Sequence, residues 1–402
     1  MNPIDLAGRV KAIKPSPTLA VTAKALELKA QGKDIVGLGA GEPDFDTPQH
    51  IKDAAIAAIQ SGFTKYTAVG GTPGLKRAIV AKFKRDNGLE YSPKQILVSC
   101  GGKQSFFNLA LALINRGDEV IIPAPYWVSY PDMVLIAEGV PVIVSGGIEQ
   151  GYKITASQLR AAITQKTRLV VINSPSNPTG AVYSREELAA LSEVLREAPH
   201  VLIATDDMYE HLLLDEGKFH NILNVCPELY GRTLVLNGVS KAYSMTGWRI
   251  GYAAGPEPII SAMENVQSQS TSNPTSISQV AAETALNGDQ GCIAPMLAAF
   301  RERHRYVVDK LNSIPGFRAI DSGGAFYAFP DCRGAIRALH SKGTIKEAND
   351  LSFSEFLLER AGVAVVPGSA FGAEGHLRLS FATSLENLRK ALERIYSAVS
   401  ET

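Results

Sequence analysis

Several functional signatures are scarce or missing in this chain of 402 residues. Its four cysteines (Cys100, Cys226, Cys292 and Cys332) lie far apart and form no C-x-x-C pair. Neither a zinc site nor a disulfide framework is therefore indicated, and buried free thiols in a reducing compartment are expected. None of the seven histidines stands at metal-ligand spacing from another histidine or a cysteine, so no metal is expected. Excess charge is absent too: 40 Lys and Arg balance 40 Asp and Glu. That removes the electrostatic case for nucleic acid or an anionic membrane as partner. No run approaches the ~20 apolar residues of a membrane span, and Met1 to Lys14 lacks the apolar core of a signal peptide. The expectation is a soluble, cytoplasmic, globular protein, long enough for two domains and a large core.

What is present is an alternation. From about Gln95 to Gly255, short apolar runs (Ile96 to Ser99, Glu119 to Ile122, Val140 to Val144, Leu169 to Asn173, Val201 to Thr205, Thr233 to Leu236, Ile250 to Ala254) alternate with amphipathic stretches (Gln104 to Asn115, Ser129 to Ala137, Arg185 to Arg196). Strands buried on both faces between helices predict an α/β fold with a mostly parallel sheet covered on both sides. Outside this block lie a helix candidate at Thr18 to Gln31, long helices near Met296 to Asn312 and Leu385 to Val399, and Gly-rich apolar pieces between them. The two ends read as one smaller α+β domain: residues 1–46 and 289–402 around a large domain of 47–288.

The chemically unusual residues follow strand ends, where open α/β sheets place ligands. Lys241 lies just behind a short apolar strand, with Ser240 before it and Arg249 eight residues on, inside the Gly-Trp-Arg-Ile-Gly run that ends at Gly251. Such an amine can condense with an aldehyde while the hydroxyl and guanidinium hold a phosphate, which suits pyridoxal 5'-phosphate. Gly101-Gly102-Lys103-Gln104 joins a strand to a helix, where free amides and the helix dipole make an anion cradle. Trp127 is placed to lie on a planar heteroaromatic ring, although a tryptophan is as often plain core. Asn177 sits in a turn-forming Asn-Pro-Thr-Gly and can donate its amide to a phenolic oxygen, with Tyr209 beside it. Asp206, at the end of an apolar strand, can pair with a pyridine nitrogen and keep it protonated. Asp207 reads as an ordinary acidic loop residue. Each signal alone has a bland competitor; five in one order, each after a strand, do not.

On these residues the chain resembles the fold-type I pyridoxal-phosphate aminotransferases of class I, and within them the Ib subgroup of bacterial aspartate aminotransferases, some of which use prephenate. The likeness runs from Arg9-Val10 and Lys14-Pro15-Ser16 through Ala40-Gly41-Glu42-Pro43-Asp44-Phe45, Tyr126-Trp127-Val128-Ser129-Tyr130 and Asn177-Pro178-Thr179-Gly180 to Arg378-Leu379-Ser380. It implies a seven-stranded sheet, a homodimer with shared sites, and ping-pong transfer of an amino group between an amino acid and a 2-oxo acid. Aspartate and 2-oxoglutarate are the first expectation for that pair. Carried over by position, Lys241 would bond the cofactor aldehyde, Asp206 would face the ring nitrogen, and Asn177 and Tyr209 the phenolic oxygen. Gly101, Gly102, Lys103, Ser240 and Arg249 would hold the phosphate, joined by Tyr66 from a second subunit. Arg378 would grip the substrate α-carboxylate, Gly41 would lie in the substrate loop, and Lys103 with Thr18 and Lys14 would serve the distal carboxylate. Three departures stand out: Gly238 replaces a common serine, Asp207 a glutamate and Met208 an isoleucine. No arginine in Gln267 to Pro274 matches the one many relatives lend across the dimer. An aminotransferase of the same fold with aromatic or other specificity is one alternative, and two further readings compete. A carbon–sulfur β-lyase of the same fold would release pyruvate without an added oxo acid. A cofactor-sensing effector module would need a DNA-binding partner domain, for which no segment or basic patch is visible.

Overall fold

The computed structural model describes residues 4–15 and 17–401. Ser16 of the Lys14-Pro15-Ser16 stretch and the first three residues of the Met1 to Lys14 stretch lie outside them. In chain order the strands are β1 (Val36–Gly37), β2 (Ile96–Ser99), β3 (Glu119–Ala124), β4 (Val140–Ser145), β5 (Thr167–Asn173), β6 (Leu202–Asp206), β7 (Thr233–Gly238), β8 (Gly251–Ala254), β9 (Tyr327–Ala328), β10 (Val363–Ala364), β11 (Val366–Pro367) and β12 (Leu377–Ser380). Seven of them form one sheet in the order β2-β8-β7-β6-β5-β3-β4. Every neighbour pair from β7 to β4 is parallel, and β8 runs antiparallel to both β2 and β7. All strands but β8 therefore point their carboxyl ends to one edge.

Side chains alternate across a strand, and the apolar runs exploit this on both faces. Val98, Ile121, Val170, Ile172 and Val235 pack on one side, with Leu75 and Ile79 of helix Pro73–Lys82 and Leu188 and Leu191 of helix Arg185–Glu197. Leu97, Val120, Leu169, Val171 and Leu234 pack on the other, with Phe106 and Leu109 of helix Gly102–Leu113 and Ile260 and Met263 of helix Glu257–Ser268. Full burial of one such side chain stabilises the fold by ~1.5–3 kcal/mol. Helix Arg185–Glu197 starts at a capping box in which Ser184 Oγ accepts from the Glu187 amide at 3.2 Å and the Glu187 carboxylate accepts from the Ser184 amide at 2.7 Å.

Two expectations need correction. β4 is not buried on both faces: it is one of the two edge strands, with Val140 46% and Ile143 41% exposed. The four cysteines are free, but only Cys226 and Cys332 are buried, Cys100 and Cys292 being partly exposed.

The chain ends meet. β1 pairs in parallel with β10, Val36 opposite Val363, and β11-β12-β9 form a small antiparallel sheet. Helix Ile293–Ser313 and helix Leu385–Ser400 pack on these strands. The last helix buries Leu388, Ala391, Leu392, Ile395 and Val399, a stripe at helical spacing. No helix among the described residues is long and apolar enough to cross a membrane.

Candidate active site

A cavity of about 490 Å³ opens at the carboxyl edge of the sheet, bounded also by the chain-end strands. Lys241 lies in the turn after β7, and its Nζ donates to the Gly41 carbonyl at 2.6 Å. The residue keeps some surface open to the cavity, but its amine lies deep. Burial, and next the Arg378 charge, pull its pKa from 10.5 to about 8. A neutral, nucleophilic amine is thus accessible near neutral pH.

Asp206 closes β6. Tyr130 Oη donates to its Oδ2 at 2.5 Å and the Met208 amide to its Oδ1 at 3.3 Å. Burial raises its pKa, and Tyr130, Met208 and Lys241 work against that rise without cancelling it. A cation at this carboxylate would be well matched. Tyr209 is buried, and its hydroxyl lies 2.9 Å from that of Tyr327.

Arg378, on β12, is only 2% exposed. Its Nη1 donates to Asn177 Oδ1 at 3.0 Å and its Nη2 to the Gly39 carbonyl at 2.6 Å, while its guanidinium lies 4.7 Å from the Tyr327 ring centroid. Its Nε is buried without a partner, as is Thr18 Oγ1. These are two donors held ready around the cavity, where leaving them unpaired carries a cost. Because Asn177 offers Oδ1 to the arginine, its amide NH₂ remains to donate elsewhere.

Arg249 is exposed at the mouth in a left-handed conformation (φ 56°), donating to the carbonyls of Thr246 and Cys100. Gly101 has φ 90°, and a Cβ there would fall 2.3 Å from Arg249 Nη2. Only glycine allows backbone and guanidinium to close together on an anion. Gly102, Lys103 and Ser240 line the same end, with Lys103 Nζ 5.3 Å over the Trp127 ring. The Met208 terminal methyl fills the space beside Gly102 and Gly238: a Cβ on either would come within 2.5 Å or 3.0 Å of it. Two of the departures read from the sequence, Gly238 and Met208, therefore fit each other sterically.

The structure gathers Thr18, Gly41, Gly102, Lys103, Trp127, Asn177, Asp206, Tyr209, Ser240, Lys241, Arg249 and Arg378 around one cavity. Lys14 is exposed and outside that lining, and Tyr66 is 92% exposed. Asp207 is not an ordinary loop residue. It is buried, accepts from Thr205 Oγ1 at 2.6 Å and from the Asn221 amide, and is pushed up to about 8 by burial and then by Glu210. Sequence reasoning missed Tyr327 and the role of Tyr130. For Tyr130 the signal was its place three residues after Trp127 in the same motif; the two rings meet edge-on, 5.1 Å between centroids. For Tyr327 there was only a short apolar run after Gly323-Gly324.

The geometry fits pyridoxal phosphate on three counts: an accessible amine, a carboxylate set for a cation, and an anion cradle a Cβ would fill. Comparison with known proteins gives the family. The model of the family "Aminotransferase class I and II" matches residues 33–395. The chain is 66% identical, over 99% of its length and 100% of the relative's, to an aspartate/prephenate aminotransferase of Nitrosomonas europaea. Among solved structures it is similar to an aspartate aminotransferase from Rhizobium meliloti (TM-score 0.93, 48% identity, 99% of each chain). It is similar also to one from Thermus thermophilus solved with maleate (TM-score 0.92, 46% identity, 98% of this chain and 100% of that one).

Proposed function

Because this chain belongs to the class I and II aminotransferases, we propose that it uses pyridoxal 5'-phosphate to move the amino group of aspartate to 2-oxoglutarate by a ping-pong route. Prephenate is a second acceptor under this proposal, since relatives carry it in their names. The observation that carries the reading is Lys241, a lysine with a pKa of about 8 facing one cavity with Asp206 and Arg378.

When bound, the cofactor supplies an aldehyde for amine exchange and a protonated ring that takes up the electron pair left by a departing α-proton. The protein does the rest. Asp206, braced by Tyr130 and the Met208 amide, is proposed to hold the ring nitrogen protonated. Asn177 and Tyr209 take the phenolic oxygen, and Trp127 covers the ring. Gly101, Gly102, Ser240 and Arg249 hold the phosphate. Arg378 grips the α-carboxylate through its planar fork, which fixes the Cα–H bond toward Lys241. Freed from the aldehyde, Lys241 Nζ takes that proton and gives it up again as general base and acid, an action typically worth ~10²–10⁴-fold. Lys103 and Thr18 would meet the distal carboxylate. Maleate, bound by the Thermus thermophilus relative, is itself a dicarboxylate.

We place the boundaries of a large unit at 47–288, with 1–46 and 289–402 forming the small one, in keeping with the separate apolar clusters of sheet and chain ends. We further propose a cytoplasmic homodimer in which Tyr66 serves the neighbouring site. The decisive experiment is to load purified protein with pyridoxal phosphate and reduce it with borohydride. A pyridoxyl adduct on the peptide holding Lys241 is expected, and colourless protein with no adduct would overturn the reading. A donor panel with 2-oxoglutarate, oxaloacetate and prephenate, ranked by kcat/KM, then tests specificity.

A further inference from the structure

Behind the cavity, outside its lining, lies a buried ion pair with no part in the chemistry above. Lys82, the last residue of helix Pro73–Lys82, has no exposed surface. Its Nζ donates to Glu210 Oε1 and, at 2.7 Å, to Asn87 Oδ1. Glu210 is itself 6% exposed and accepts two more bonds, from Asn87 Nδ2 and from Asn237 Nδ2, each 2.7 Å. Asn237 Oδ1 then accepts the Gly238 amide at 2.7 Å. The Glu210 amide donates to the Asp207 carbonyl, and the Asp207 amide to the Leu236 carbonyl.

One carboxylate therefore ties the turn after β6 to the end of β7, which leads into a second turn. The first leaves β6 with Asp206 and Tyr209; the second leaves β7 with Ser240 and Lys241. Both are anchored through Lys82 to a helix packed on one face of the sheet. Charged groups surround the pair: Asp86 is 4.0 Å from Lys82, and His211 reaches Glu210 at 3.7 Å and Asp86 at 3.1 Å. Arg85 holds Asp86 in turn, and Asp207 borders Glu210. Burial alone would push the Glu210 carboxyl up, but Lys82, His211 and Asn87 more than reverse this and keep it below its ordinary value. A buried ion pair is a poor way to gain stability, because an apolar pair of the same volume often does as well. What it provides is fixed geometry: a charge with three donors on it has one arrangement that satisfies all of them.

We propose that the Lys82–Glu210 pair, acting through Asn237, is a positioning device that sets the spacing between the Asp206–Tyr209 turn and the Lys241 turn. The inference rests on the cofactor reading above. Its test uses loaded enzyme and three variants: Glu210→Gln, the charge-free double variant Lys82→Met with Glu210→Gln, and Asn237→Ala, which leaves the ion pair intact and cuts its link to the Lys241 turn. The readouts are melting temperature, the split of kcat from KM, and the pH midpoint of the visible band.

The double variant is expected to melt close to wild type, yet to lose about tenfold or more in kcat with KM moved less than about threefold, as a misplaced reacting group would do. Its colour midpoint should shift by about half a pH unit or more, because Asp206 and Lys241 would no longer keep their spacing. Asn237→Ala should show the same loss and shift, and it decides the matter if the charge variants do not fold. Wild-type kcat and midpoint in a folded double variant, or in Asn237→Ala, would overturn the proposal. Wild-type protein that takes up no cofactor would sink the functional reading itself. Coloured wild type with indistinguishable variants would sink only this inference.

Discussion

At the scale of single residues, the chemistry depends on how the fold treats two cations. Lys241 holds its proton up to about 10.5 in the unfolded chain but only to about 8 in the folded one. Between those values the unfolded state binds more protons, so this group makes stability rise with pH; below about 8 its buried charge is a standing cost. In cofactor-free protein, Lys241→Met should therefore be more stable than wild type at pH 7, by roughly 2 kcal/mol, less than the full shift because the cavity admits water. The difference should fade as pH rises from about 8 and be nearly gone above about 10.5. Denaturant midpoints of both proteins at the two pH values check this, and a gap independent of pH would contradict it. Arg378 depends instead on shape. Its two ends are fixed by Asn177 and the Gly39 carbonyl and its face by Tyr327. Arg378→Lys keeps the charge and loses the fork, and kcat/KM for aspartate should fall ~10²-fold, mostly through KM. Steady-state kinetics would show whether geometry or charge matters.

At the scale of elements, a tight joint is the seam between β8 and the loop after β2. A Cβ on Gly251 would meet the Gly102 nitrogen at 2.2 Å and the Gly101 carbonyl carbon at 2.4 Å, both backbone atoms that cannot swing aside. The antiparallel pairing of Ser99 with Gly251 holds these segments together. Gly251→Ala must push the anion cradle away from the sheet. We expect a loss of ~2 kcal/mol or more in stability, with weaker cofactor phosphate binding. Thermal melts and cofactor titration of the same preparation test both. A variant that melts normally and still binds weakly would show that the cradle moved alone.

At the scale of the whole molecule, one helix exposes an apolar face. Ile56 and Ile59 of helix Gln49–Gln60 are 49% and 52% exposed, followed by the exposed Phe63 and Tyr66. Ile56 and Ile59 stand three apart, on one side of the helix. If this face is the two-fold contact of the proposed dimer, Ile56→Glu with Ile59→Glu should halve the mass seen by light scattering. Cofactor affinity should fall with it, because Tyr66 would leave the neighbouring site. A dimer that survives both charges would place the contact elsewhere.

The order of signals along the chain determined much of this protein. Lys241 behind its strand, Asp206 ending another, Gly101-Gly102 opening a helix and Asn177 in its turn were all legible, because each depends on its own few neighbours. The seven-strand core was legible too, since apolar runs of strand length buried on both faces suit little else. The helices Gln49–Gln60, Pro73–Lys82 and Ser276–Asn287 were not singled out. What only the tertiary structure decided are contacts between distant segments. Arg378 meets Gly39 across 339 residues, Lys241 meets Gly41 across 200, and Lys82 meets Glu210 across 128. Tyr327 joins the site because β9 lies beside β12, and the buried Asp207 is met by Asn221, 14 residues on. Local sequence fixes the backbone at a strand end. Which distant group faces that end depends on how the two chain termini fold back on the sheet.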